Sequence, residues 1–172
     1  MTAVSGSVYT AAQFNTFVRD NLNETAPAKA TTPGAYFVTT SLNEITERVG
    51  ARETLATSET TTSTSFTDLA TIGPDVTVTT GSLALVIFGA EQSNSGTGST
   101  RTSVDVSGAS TIAAADIRSL TLSGGTAGET IQASHAVFYD DLTPGSNTFT
   151  MKYRVSSGTG TFSRRRLIVL PY

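Results

Sequence analysis

Hydrophobic positions change their period once along this chain. Between Thr10 and Leu22 they recur every three or four residues, so that Phe14, Phe17, Val18 and Leu22 share one face of a helix. Gln13, Asn15, Arg19, Asp20 and Asn23 fall mostly elsewhere. Thr10 followed by Gln13 is a capping box, with Tyr9 and Phe14 at the two staple positions, and Pro27 limits the helix to roughly four turns. An isolated helix shorter than about 12–15 residues is marginal in water, so this apolar stripe predicts docking. Its own domain and a neighbouring subunit or partner both remain open as the surface it covers.

After the helix the period falls to two. Residues 27–52 read as an extended connector with one short strand signal at Ala35–Thr39. From Glu53 onward the strand candidates are Ser65–Leu69, Val76–Thr80, Leu83–Glu91, Thr102–Val106, Ile117–Leu122, Thr130–Tyr139, Asn147–Val155 and Thr161–Leu170. Breakers separate them: Gly73-Pro74, SNSGTGS at 93–99, SGGTAGE at 123–129, TPGSN at 143–147 and SSGTG at 156–160. The continuously apolar LALVIFGA belongs in the middle of a packed sheet, whereas VTVTT, TSVDV and TFTMKYRV alternate and predict one wetter face. The Thr-rich run TSETTTSTS at 57–65 reads as an extended segment entering the first strand, because β-branched Thr is stiff. The expected fold is mainly β: an antiparallel β-sandwich arranged as a jelly roll, preceded by one short N-terminal amphipathic helix and an extended connector. An immunoglobulin-like sandwich satisfies the same pattern. The expected division is a helix-and-connector arm over 1–52 and a sandwich domain over 53–172.

Composition narrows the function classes. A chain of 172 residues with 38% hydrophobic and only 15% charged positions has room for one domain with a real core plus an appendage. A formal net charge of −3 argues against nucleic acid as the main partner. Without cysteine there is no disulfide framework and no thiolate metal site. No basic-then-apolar leader pattern opens the chain, and no apolar run reaches the roughly 18–20 residues that span a bilayer, so no membrane partner is expected.

Catalytic groupings are equally scarce. His135 is the one histidine, and it sits in the strand-like ASHAVFYDD, where a structural role is the expectation. Asp140 and Asp141 precede the turn LTPGSN and read as acceptors for its backbone rather than as half of a calcium site, since no spaced oxygen-ligand loop accompanies them. The Gly-rich segments lack the Gly-Lys-Ser/Thr ending of a phosphate loop, and the chain has no Trp to lie under a sugar ring. The expectation is a protein with no enzymatic activity, no cofactor and no metal. Arg164, Arg165 and Arg166 precede the apolar LIVLP; on a strand the outer two share a face and Arg165 takes the other. A solvated strand start is one reading. A possible inter-subunit contact, with the guanidinium groups pairing carboxylates such as Asp105 or Asp140, is the other.

Two stretches carry a resemblance. GSVYTAAQFNTFVRDNLNETAPAKATTPGAYFVTT, with Thr10, Ala11, Ala12, Asn15, Arg19, Asp20, Asn21 and Leu22 as its core element, resembles the N-terminal region of small virion structural proteins of tailed phages infecting actinobacteria. LTPGSNTFTMKYRVSSGTGTFSRRRLIVLP, residues 142–171, is similar to the closing strands of the β domain in the same group. Members are described as head decoration or minor tail proteins. The resemblance implies a virion surface protein made in the host cytoplasm, binding the major capsid protein or another virion protein through its arm. Tyr9, Phe14, Phe17, Val18 and Leu22 are then the attachment residues, and a homotrimer is the implied assembly. A capsid decoration protein is the expected form. The alternative is a minor tail or fibre protein whose β domain binds a receptor or host surface glycan.

Overall fold

The computed structural model describes residue 8 and residues 10–23, 25–123 and 125–172, which leaves Tyr9 outside the described residues. The chain divides into two compact units, Met1–Glu47 and Arg48–Tyr172. The division falls a few residues before the expected 52/53 boundary.

In the first unit the capping box forms as read: Gln13 N donates to Thr10 Oγ1 at 3.2 Å and Thr10 N donates to Gln13 Oε1 at 3.1 Å. The helix runs through α1 (Ala11–Phe14), a π-helical stretch (Asn15–Arg19) and α2 (Asp20–Asn23). Pro27 sits in the first turn of a further short helix, α3 (Ala26–Lys29), where a missing N–H costs nothing. The segment expected to be an extended connector is instead a hairpin of β1 (Tyr36–Ser41) and β2 (Glu44–Arg48). Its two-residue turn works because Asn43 adopts φ +59°, a conformation that Asn tolerates. Glu47 ties α3's exit to the hairpin by accepting from Thr31 N, Thr31 Oγ1 and Thr32 N, and these bonds, led by the Thr31 hydroxyl, hold its carboxyl below the usual range.

The second unit is built from β3 (Ala51–Leu55), β4 (Glu59–Thr61), β5 (Asp75–Thr80), β6 (Ala84–Asn94), β7 (Thr100–Gly108), β8 (Leu120–Leu122), β9 (Thr130–Tyr139), β10 (Gly145–Val155) and β11 (Gly160–Pro171). One sheet runs β3-β11-β6-β9, with β4 also on β11, and the other runs β5-β10-β7-β8. Every pairing is antiparallel and the partners nest: β3 with β11, β5 with β10, β6 with β9, β7 with β8. That nesting is the jelly roll, a long hairpin rolled over on itself, and it excludes the immunoglobulin-like order.

Alternation builds the core. Ala84, Val86 and Phe88 of β6 and Leu167 and Val169 of β11 face Val104 and Val106 of β7 and Phe149, Met151 and Tyr153 of β10, all essentially without solvent contact. Each such large apolar side chain stabilises the fold by roughly 1.5–3 kcal/mol relative to an exposed one. As expected, the LALVIFGA run lies inside its sheet, between β11 and β9. Two strand readings are corrected. Residues 65–69 form a single bridge, Thr67 exchanging hydrogen bonds with Tyr153, because Ser63 and Ser65 bend the chain beside it. Residues 117–122 begin as a 3-10 turn, Asp116–Arg118, before the short β8. The strand β3 went unread, its apolar positions being too sparse to show a period, whereas β4 falls within the Thr-rich run read as extended.

Candidate functional site

Three features of the two units bear on function, and the helix of the first is the simplest. Phe14, Phe17 and Leu22 are 51%, 44% and 60% exposed, and Val18 is half-buried. Charged neighbours do not dilute the stripe, because Arg19 turns to Asp20, with Nε donating to Oδ1 at 3.0 Å. Among the described residues the helix therefore presents a capped, exposed apolar surface.

The arginine cluster is split by a β-bulge. Between Ser163 and Arg166, β11 advances three residues while β6 advances two, from Glu91 to Gly89, and Arg164 takes φ +48°. The extra residue reverses which parity faces the core, so Phe162, Arg165, Leu167 and Val169 all point inward. Arg165 is fully buried: Nη2 lies 3.1 Å from Glu59 Oε2, and Nη1 donates to the carbonyls of Thr71 and Gly73, each at 3.2 Å. Burial alone pushes the Glu59 carboxyl up, but hydrogen bonds from Thr71 Oγ1 and Thr71 N, together with Arg165, outweigh it and hold the carboxyl below its ordinary value. Burial likewise raises the Tyr153 phenol well above its ordinary value. An inter-subunit contact through Arg165 is thus overturned, since its guanidinium is consumed inside the protomer. Arg164 and Arg166 remain at the surface, Arg164 paired with Glu91 at 3.0 Å rather than with Asp105 or Asp140.

A polar groove crosses the outer face of β7 and β10. Two adjoining clefts of about 510 and 330 Å³ share Phe66 and Ala114 in their walls. Asp116 accepts from Arg154 and pairs with Arg101, and the Arg154 hydrogen bond, with Arg101 behind it, holds its carboxyl below the usual range. Arg154 also donates to the Thr64 carbonyl at 3.0 Å and lies over the Phe66 ring, 5.4 Å from its centre. Further along, Lys152 sits between Asp68 at 2.7 Å and Asp105 at 3.5 Å; burial raises the Asp105 carboxyl, with Lys152 opposing. Each cation here has its carboxylate, so the groove pins its bordering loops to the sheet. Glu59, Phe66, Asp116 and Arg154 had no sequence signal, because their partners come from distant strands.

The remaining sequence candidates stay apart. His135 packs edge-on against Phe88, ring centres 5.7 Å apart. Asp140 and Asp141 are exposed, and among the described residues no hydrogen bond ends on either carboxylate. The turn they precede is organised instead by buried Asn147, which donates to Thr80 Oγ1 and the Thr143 carbonyl and accepts from Ser110 N at 2.7 Å. Among the described residues no three His, Cys, Asp or Glu side chains converge as a metal site.

No protein-family model matches this chain, and no curated protein matches it. Among solved structures, the chain overlaps the crystal structure of exo-beta-1,3-galactanase from Phanerochaete chrysosporium with galactose at 12% identity and a TM-score of 0.27. The overlap covers 74% of this chain and 31% of the galactanase chain, and at that TM-score it carries no argument about fold or activity.

Proposed function

We propose that the chain is a non-enzymatic virion structural protein of a tailed phage, a capsid decoration protein that docks on the head through its N-terminal helix and displays the jelly roll outward. The observation that carries the reading is the exposed stripe of Phe14, Phe17 and Leu22 on a capped helix, in a unit separate from a domain with its own complete core. An apolar surface of this kind gains free energy only by being covered. The resemblance of residues 6–40 and 142–171 supplies the kind of surface: a major capsid protein or another virion protein. It also implies a homotrimer as the unit on the particle. Nucleic acid, membrane and cofactor have no part in the reading.

The minor tail reading, with a host glycan bound by the β domain, draws on the groove beside Phe66. Decoration is favoured because the groove's cations are already paired, whereas among the described residues Phe14, Phe17 and Leu22 stand exposed. The test uses full-length tagged chain mixed separately with heads and with tails of the encoding phage. Binding to heads that is lost in the Phe14→Ser, Phe17→Ser double variant is the expected result. Binding to tails alone, or binding to heads that the double variant retains, would overturn it.

A further inference from the structure

The outer edges of the two sheets are not alike. Of the five edge strands among the described residues, β4 and β8 have three residues each, β3 has five and carries Arg52 and Glu53, and β5 has six, its first amide taken by the Glu53 carboxylate. Short length, charge and a covering side chain are the usual devices that stop an edge from pairing with another chain. The remaining edge, β9, has none of them. It is ten residues long and contains no Asp, Glu, Lys, Arg or Pro. Its register on β6 is unbroken, from Tyr139 opposite Ala84 to Thr130 opposite Ser93, so no bulge twists it away. Among the described residues no hydrogen bond reaches the backbone of Thr130–Tyr139 from the side opposite β6.

We infer that this edge is a self-association site, where β9 pairs antiparallel with β9 of a second copy across a two-fold axis and joins the two β3-β11-β6-β9 sheets into one. A free strand edge offers alternating N–H and C=O groups, which only another strand satisfies in series. An identical strand fits because β9 is uncharged, so the two-fold brings no like charges into opposition. The geometry also restricts the register. A two-fold perpendicular to the sheet keeps each face on its own side, so a residue can oppose only one of the same parity, and the axis must pass through a residue. Through Ser134, near the strand's midpoint, it sets Ile131 against Val137, Gln132 against Ala136 and Ala133 against His135. Ser134 then meets its own copy at the centre, and a β-branched pair lies to either side. Next to the axis β6 carries Gly89, paired with Ser134, where an added Cβ would come within 2.6 Å of the Ala133 carbonyl.

This inference stands apart from the proposed attachment role and gives a pair where the resemblance implies a trimer, so mass separates the two. Sedimentation equilibrium of the full chain across micromolar concentrations should give twice the monomer mass. Ser134→Glu, on the exposed face, should give the monomer mass with an unchanged circular dichroism spectrum, because it sets two carboxylates against each other. Because the chain has no cysteine, Ser134→Cys reports the axis directly. Directly opposed residues have Cα atoms roughly 4.5–5.5 Å apart, inside the disulfide range. The variant should form a covalent dimer under mild oxidation, and Ser146→Cys on the other sheet should not. A monomeric wild type, an oligomer unaffected by Ser134→Glu, or equal cross-linking of both cysteines would overturn the inference.

Discussion

The guanidinium of Arg165 lies over the ring of Tyr153, 5.6 Å from its centre, and both side chains donate to one acceptor, the Gly73 carbonyl, at 3.2 and 2.9 Å. An ion pair to Glu59 completes the cluster and joins β4, β10 and β11 to the loop before β5. Arg165→Ala should lower stability by roughly 3–5 kcal/mol, since it leaves Glu59 and the Gly73 and Thr71 carbonyls short of partners. Arg165→Met combined with Glu59→Leu should recover most of that loss. Denaturant titration of both variants checks this, and equal losses in the two would show that the charge pair is not what the site depends on.

Acid stability follows from the same carboxylate. Its folded pKa is lowered from 4.5, so the unfolded chain binds the proton more readily. The stabilisation is therefore present above pH 4.5 and is lost as pH falls through the folded value. Asp105 has the opposite sign: its folded pKa is raised from 3.8, so its ionisation erodes stability as pH rises through that window. Glu59→Gln should flatten the acid limb of the stability profile, and Asp105→Asn should steepen it. Thermal melts at acid pH values distinguish the two.

A chain beginning at Arg48 should fold with a cooperative melt. The core cluster lies wholly within residues 51–169, and the strand β3 begins beyond the cut. Loss of cooperativity in this truncation would show that the first unit contributes to the core.

Phe14→Ser and Phe17→Ser should leave the melting of the jelly roll nearly unchanged, because exposed substitutions typically stay within about 0.5 kcal/mol. The same variants should elute earlier from a hydrophobic-interaction column, because each removes exposed apolar surface. A destabilised β domain would mean that the stripe is structural.

How much of this was legible in the sequence depended on where each signal lay. The capping box and the apolar stripe are local, so Thr10, Gln13 and Phe14 announced the helix. β6, β9, β10 and β11 were readable because each is a run of ten or more strand-forming residues bounded by turn-forming breakers. The hairpin of β1 and β2 was missed because its turn rests on Asn43 in a left-handed conformation, without the glycine that usually marks such a turn. The fate of Arg165 was hidden for a different reason. Strict alternation put it opposite its neighbours, but that it faces the core with Phe162 and Leu167 depends on one extra residue in β11. Its carboxylate partner lies more than a hundred positions earlier in the chain.

The nested pairing also orders events during synthesis. β3 is made among the first strands of the domain, yet its ladder partners are Arg165 to Val169 in the last. A ribosome must translate more than a hundred further codons before Ala51–Leu55 has its partner strand. Loop closure across so much chain is slow, and the early strands spend that interval without their sheet. The order of emergence makes β7 with β8 the first of the nested pairs able to form and β3 with β11 the last. Stalled nascent chains ending before β11 should therefore remain protease-sensitive along β3 and β4, however much of the domain has already left the exit tunnel.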